Sequence, residues 1–190
     1  MNPYNVWGTE ASQGDGRPSV YGALPFTGAT QEPALLAFTF ASNTSDIFNS
    51  VVVGPGNSSQ YWVTTDSRYT MLKTQDGKGV ALIEWSQPPK VEVRGTVMKQ
   101  PASSFLRLSQ DGNRSHRIMF FGNQQLSWIA QNSSISLFAI RGAGSAELLA
   151  RISKSGRAIN LEIAQSAAQA GLLPVCLVAT ILLQSGRSID

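Results

Sequence analysis

The chain reads as a mainly β domain, an antiparallel closed β-barrel of about twelve short strands around a buried hydrophobic C-terminal helix. Three observations lead there. Only 14% of the residues are charged, and 42% are hydrophobic, a composition of polar turns between apolar strands rather than of a helical bundle. From residue 34 onward, apolar or alternating runs recur every ~8–12 residues, each closed by turn formers. Residues 172–183 are then almost wholly apolar.

The elements follow in chain order. Residues 1–33 hold five glycines and four prolines, and no strand or helix period survives such punctuation. They read as an irregular N-terminal arm carrying Tyr4, Trp7, Tyr21 and Phe26, better explained as a loose tail than as a partner-binding segment. The domain proper is residues 34–190. Strands are expected over 35–40 and 47–53, the second ending at the turn Gly54-Pro55-Gly56-Asn57. Runs 60–65 and 69–74 come next. Asp76-Gly77 then makes a hairpin into 80–85. After Pro88-Pro89, residues 91–98 alternate Val91, Val93 and Val97 against Glu92, Arg94 and Thr96. Short runs at 105–108, 116–121, 125–130, 135–141, 146–153 and 157–163 complete the series, with turns at Asp111-Gly112-Asn113 and Gly122-Asn123. Residues 166–170 form a helical turn closed by Gly171.

The apolar run 172–183 is a helix with Pro174 in its first turn, where a missing N–H costs nothing, and Ser185-Gly186 as its stop. A helix apolar on every side is either a membrane span or a core element. Twelve residues reach only ~18 Å, against ~30 Å of hydrocarbon, so the core reading holds.

Composition and motifs narrow the chemistry. The net charge is +3 and no run of five like charges occurs, so a nucleic-acid partner is not expected. The single cysteine, Cys176, rules out an internal disulfide and a thiolate-rich zinc site; in an apolar helix it reads as a small buried hydrophobe. Residues 1–14 lack the basic and apolar regions of a secretory signal. A cytoplasmic protein is therefore expected, with Asn43, Asn57, Asn113 and Asn132 unglycosylated despite their sequons. The one histidine, His116, has no Gly-x-Ser-x-Gly elbow to serve and reads as an exposed turn residue. There is no Walker loop, dinucleotide fingerprint or calcium-loop spacing, and Gly142-Ala143-Gly144 lacks a following helix to cradle phosphate. No cofactor and no metal are expected. Glu84, Glu92, Glu147 and Glu162 lie in strands, where a general acid–base pair would require two of them to face one cavity.

The cations are more informative. Lys73, Lys78, Lys90, Arg94, Lys99, Arg107, Arg114 and Arg117 fall in one stretch that also holds the acids Asp76, Glu84, Glu92 and Asp111. The surplus suits either ordinary surface charge or a site for phosphate or anionic headgroups.

Two segments carry a resemblance. Val80-Ala81-Leu82-Ile83-Glu84-Trp85 with Val91-Glu92-Val93-Arg94-Gly95 is the first, and Glu147-Leu148-Leu149-Ala150-Arg151-Ile152 with Leu161-Glu162-Ile163 and the apolar tail is the second. Together with the Met1-Asn2-Pro3-Tyr4 opening, they resemble an uncharacterised domain family of mushroom-forming (basidiomycete) fungi over about residues 34–190. More distantly, a dozen strands closed by a hydrophobic helix resemble the tubby C-terminal and phospholipid-scramblase-like barrel. That resemblance implies a helix threading the barrel and phosphoinositide binding by basic residues. The cysteine-rich and calcium-binding segments of scramblases are missing here, so it does not imply scrambling.

Three functions follow as expectations. The first is a non-catalytic intracellular module binding anionic phospholipid headgroups or a protein partner. The second is a cytosolic fungal lectin using Trp62, Trp85 and Trp128, although their alternating contexts favour core burial. The third is an enzyme pairing His116 with a strand carboxylate at the barrel mouth, for which no catalytic signature is present.

Overall fold

The computed structural model describes residues 34–42, 44, 46–111, 114–141 and 145–190, with the side chains at 111, 114, 115, 141 and 145 left aside. The N-terminal arm expected over 1–33 and the turns expected at 112–113 and 142–144 lie outside the described residues.

The order is β1 (Leu35–Ala41), β2 (Ser50–Gly54), β3 (Ser58–Thr65), β4 (Tyr69–Thr74), β5 (Gly79–Glu84), β6 (Lys90–Val93), β7 (Val97–Pro101), α1 (Ala102–Phe105), β8 (Arg107–Asp111), β9 (Arg114–Phe121), β10 (Gln124–Gln131), β11 (Ser134–Arg141), β12 (Ser145–Ser155), β13 (Ala158–Ala164), α2 (Gln165–Gln169) and α3 (Leu173–Gln184). The strands form one antiparallel sheet in the order β7-β6-β5-β4-β3-β2-β1-β13-β12-β11-β10-β9-β8. Two meanders thus meet at β1, which pairs with β2 on one side and β13 on the other.

Thirteen described strands stand where about twelve were expected, and Gly95 is the reason. The run 91–98 is not one strand. Gly95 takes a left-handed φ of 75°, open to glycine without a Cβ penalty. Thr96 N–H then bonds to the Val93 carbonyl at 3.0 Å, so the chain reverses and Val97 pairs with Val93. Periodicity survives such a turn because both valines still face the core. Phe105, expected in a strand, instead belongs to α1, with Ala102 and Phe105 buried.

The expected antiparallel sheet is present, and it is not closed by hydrogen bonds. Its edges, β7 and β8, do not pair. Pro101 ends β7 and has no N–H to extend a ladder. The chain then crosses through α1, which lies against β6, β7, β8 and β9 and buries Ala102 and Phe105. The sheet still curls around α3. That helix touches β13 as well as β5 and β6, which lie several strands away in the order.

The helix expected over 172–183 is α3, and Val175 through Leu182 are all buried. Its one polar core side chain is satisfied internally: Thr180 Oγ1 donates to the Cys176 carbonyl at 2.7 Å. Phe38, Phe40, Leu72, Ile83, Trp128 and Leu161 are among the strand residues packed into the same core. Burial pushes the Cys176 thiol pKa up, because desolvation disfavours the thiolate. Cys176 is therefore expected to resist a thiol reagent in the native protein at mildly alkaline pH and to react fully in denaturant; rapid native labelling would contradict this burial. Among the described residues, no helix is long and apolar enough to cross a membrane.

Candidate functional site

The sheet order places five of the eight predicted cations on β4–β7 and their turns and three on β8 and β9. Lys73 on β4 stands opposite Trp62 on β3. Lys78, in the β4–β5 turn, pairs with Asp76 at 2.7 Å. Asp76 also accepts a hydrogen bond from Thr74, and the Lys78 contact, ahead of that one, lowers its pKa. Lys90 on β6 is the cross-strand partner of Glu84, whose carboxylate binds Lys99 Nζ at 2.7 Å. Their hydrogen bond lowers the Glu84 pKa and raises that of Lys99. Arg94 lies over Gly79, beside a cavity of about 170 Å³ shared with Glu92. Two of the five cations on the β4–β7 wall, Lys78 and Lys99, are thus ion-paired, and such exposed pairs contribute little stability.

The remaining three lie at the other end of the strand order. Arg107 is exposed at the start of β8. Arg114 on β9 is the register partner of Asp111. Arg117 donates from Nη1 and Nη2 to the Asp190 carboxylate, both at 2.6 Å, and from Nη1 to the Leu106 carbonyl at 3.0 Å. This fork holds the Asp190 pKa down.

This second half of the sheet carries the charge imbalance. Between residues 107 and 157 the cations are Arg107, Arg114, Arg117, Arg141, Arg151, Lys154 and Arg157, and the acids are Asp111 and Glu147. Seven against two is a surplus of five within this stretch, of which Arg117 and Arg151 are met by Asp190 and Glu162 from outside it.

The same strands are apolar on the outside. Cross-strand register places Arg107, Ile118, Ser127, Phe138 and Leu148 in one row over β8 to β12. Their neighbours Met119, Leu126, Trp128 and Leu137 face the core; within the outer row Ile118 and Ser127 are themselves buried, and Phe138 and Leu148 are half-buried. Phe120 and Ile140 lie on the same outer positions, two residues along, and are 52% and 66% exposed. A register shift between Leu137 and Phe138 leaves one extra β12 residue, Leu149, which joins the core, and keeps Leu148 opposite Phe138.

Sequence reasoning centred on residues 73–117 missed this exterior. The signal lies in the runs Ile118-Met119-Phe120-Phe121 and Leu137-Phe138-Ala139-Ile140, which do not alternate. An antiparallel strand with one wet face alternates, so an apolar run marks a second face that water does not favour.

The other candidates are dispersed. Trp128 is buried, its Nε1 3.2 Å from Met119 Sδ, while Trp62 and Trp85 are half-buried. His116 is the register partner of Ser109 on β8. Glu162 lies 3.9 Å from Arg151. Among the described residues, no three His, Cys, Asp or Glu side chains gather as a metal site.

No curated protein matches the sequence. The X-ray structure of a protein from Arabidopsis thaliana is similar to the chain at 11% identity and a TM-score of 0.38, covering 75% of this chain and 90% of that one. A protein family matches residues 45–188, within the span where the sequence resembles an uncharacterised family; the chain belongs to it, the Family of unknown function (DUF6593).

Proposed function

We propose that the protein is a cytoplasmic, non-catalytic binding module that docks on anionic phospholipid surfaces through the exterior of β8–β12. The observation that carries this reading is the coincidence of exposed Phe120 and Ile140 with the arginine-rich half of the sheet. Apolar side chains gain by entering the headgroup boundary, and each nearby Lys or Arg contributes about 1 kcal/mol of attraction to an anionic leaflet. Exposed apolar side chains amid cations suit a lipid surface better than an acidic protein, which would leave the phenyl and sec-butyl groups facing carboxylates. The architectural half of the resemblance belongs to the same proposal. A meander curled about an apolar helix, with α1 against its edge strands, is read as a tubby-like barrel, and Arg107 and Arg114 are retained from the predicted basic set.

Co-sedimentation with vesicles of phosphatidylcholine alone, with added phosphatidylserine, and with added phosphoinositide tests the proposal at low and moderate salt. Binding confined to anionic vesicles and weakened by salt is expected. Equal binding to neutral vesicles, or none to any, overturns it; capture of acidic proteins without vesicle binding redirects the exterior to a protein partner.

A further inference from the structure

A second site lies where the chain leaves α3. Gly186 adopts a left-handed φ of 68°, and Arg187 N–H bonds to Ser185 Oγ at 3.1 Å, so the tail folds back instead of extending the helix. Ile189 is then buried, and Asp190 is held by Arg117 at 2.6 Å. Between these anchors, the Arg187 guanidinium lies 4.5 Å from the ring centroids of both Phe48 and Trp85. The two rings stand edge to face, 5.7 Å apart and at 85°. Trp85 borders a groove of about 510 Å³, lined also by Gln87, Pro88, Pro89, Arg187, Ser188 and Asp190.

The rings are set by a chain of hydroxyls. Trp85 Nε1 donates to Thr70 Oγ1 at 2.8 Å. Thr70 and Thr65 hydroxyls are 2.9 Å apart, and Thr65 donates to the Phe48 carbonyl at 2.6 Å. Thr65 has one proton and uses it on that carbonyl, so Thr70 must donate to Thr65 while accepting from Trp85. Every proton has one place, and both aromatic residues are tied to one network.

The charges are equally constrained. The Asp190 carboxylate is neutralised by Arg117, and Arg187 has no ion pair among the described residues. A guanidinium lying over aromatic rings keeps its in-plane N–H donors available. The groove therefore holds the Arg187 guanidinium, the Asp190 carboxylate already paired with Arg117, a flat apolar wall from Trp85, Pro88 and Pro89, and polar groups at Gln87 and Ser188.

The geometry points to a binding site for a small organic oxyanion, a carboxylate or phosphate monoester. Its anionic group is taken by Arg187 and its apolar body lies on Trp85 and the two prolines. The groove volume is that of a metabolite-sized ligand. The site shares no residue with the exterior of β8–β12 and stands or falls independently of membrane docking.

Indole N–H resonances in an ¹⁵N-labelled full chain give the test, with the Trp85 signal assigned by Trp85→Phe. The probes are phenyl phosphate, benzoate and neutral phenol. Saturable shifts of the Trp85 signal are expected with one or both anions, and not with phenol at the same concentrations. Arg187→Gln should weaken the response about tenfold or more, since the bond lost is charge-assisted, and Arg187→Lys should restore part of it. The Trp128 signal, from the buried core, reports that each variant remains folded. No shift with either anion, an equal shift with phenol, or an undiminished response in folded Arg187→Gln overturns the assignment.

Discussion

Leu177→Ala is expected to lower the unfolding free energy by about 2–5 kcal/mol, the usual cost of removing a large side chain from a core that cannot collapse. Leu177 lies in the fully buried middle of α3, and the curled sheet surrounds it. Backbone hydrogen bonds fix the strands at their spacing, so they cannot close on the vacated volume. Leu183, at the half-buried end of the same helix, is the internal comparison, and Leu183→Ala should cost less than half as much. Urea unfolding monitored by tryptophan fluorescence measures both, provided the slope with denaturant is unchanged. A loss below about 1 kcal/mol for Leu177→Ala would mean that α3 is not the organising core of the domain.

The second large effect concerns the exterior. The double substitution Phe120→Asp and Ile140→Asp is expected to weaken binding to phosphatidylserine vesicles about a thousandfold. Partial insertion of each apolar side chain contributes about 1 kcal/mol, a fraction of the ~1.5–3 kcal/mol for full burial. Each new carboxylate adds repulsion of about 1 kcal/mol at the anionic surface, and about 4 kcal/mol in total is close to three decades of affinity. Both side chains are exposed, so thermal stability should hardly change. Met98→Asp is the control. Met98 is 88% exposed and lies on β7, outside the strands β8–β12, and its substitution should leave vesicle binding nearly intact. If Met98→Asp weakens binding as much as the double substitution, general charge governs association and β8–β12 is not the docking face.

The legible parts of the fold are those that local chemistry decides. The apolar stretch that became α3 is readable because length and all-round hydrophobicity leave a short buried helix as the consistent reading. The hairpins at Asp76-Gly77 and Gly122-Asn123 are readable because few residues adopt a left-handed φ, and Gly77 and Gly122 do so here. Gly95 carries the same signal, but it was masked by Val91, Val93 and Val97, whose inward spacing persists through the turn. The site was less legible. Clustering in sequence suggested one basic face over residues 73–117, yet Lys78 and Lys99 are spent on Asp76 and Glu84 and Arg117 on Asp190, a residue 73 positions away.

By itself, then, the sequence determined a strand-rich chain with its turns, an apolar terminal helix suited to burial, and a mild excess of cations. Only the tertiary structure decided how the sheet ends and where charge remains unpaired. The order with β1 and β13 at its centre leaves β7 and β8 as unpaired edges, and the fold-back at Gly186 brings Arg187 to Phe48 and Trp85. These are contacts between residues far apart in the chain. Turn propensity and periodicity act over a few residues, whereas a cross-strand partner or a guanidinium over a ring depends on the path of the whole backbone.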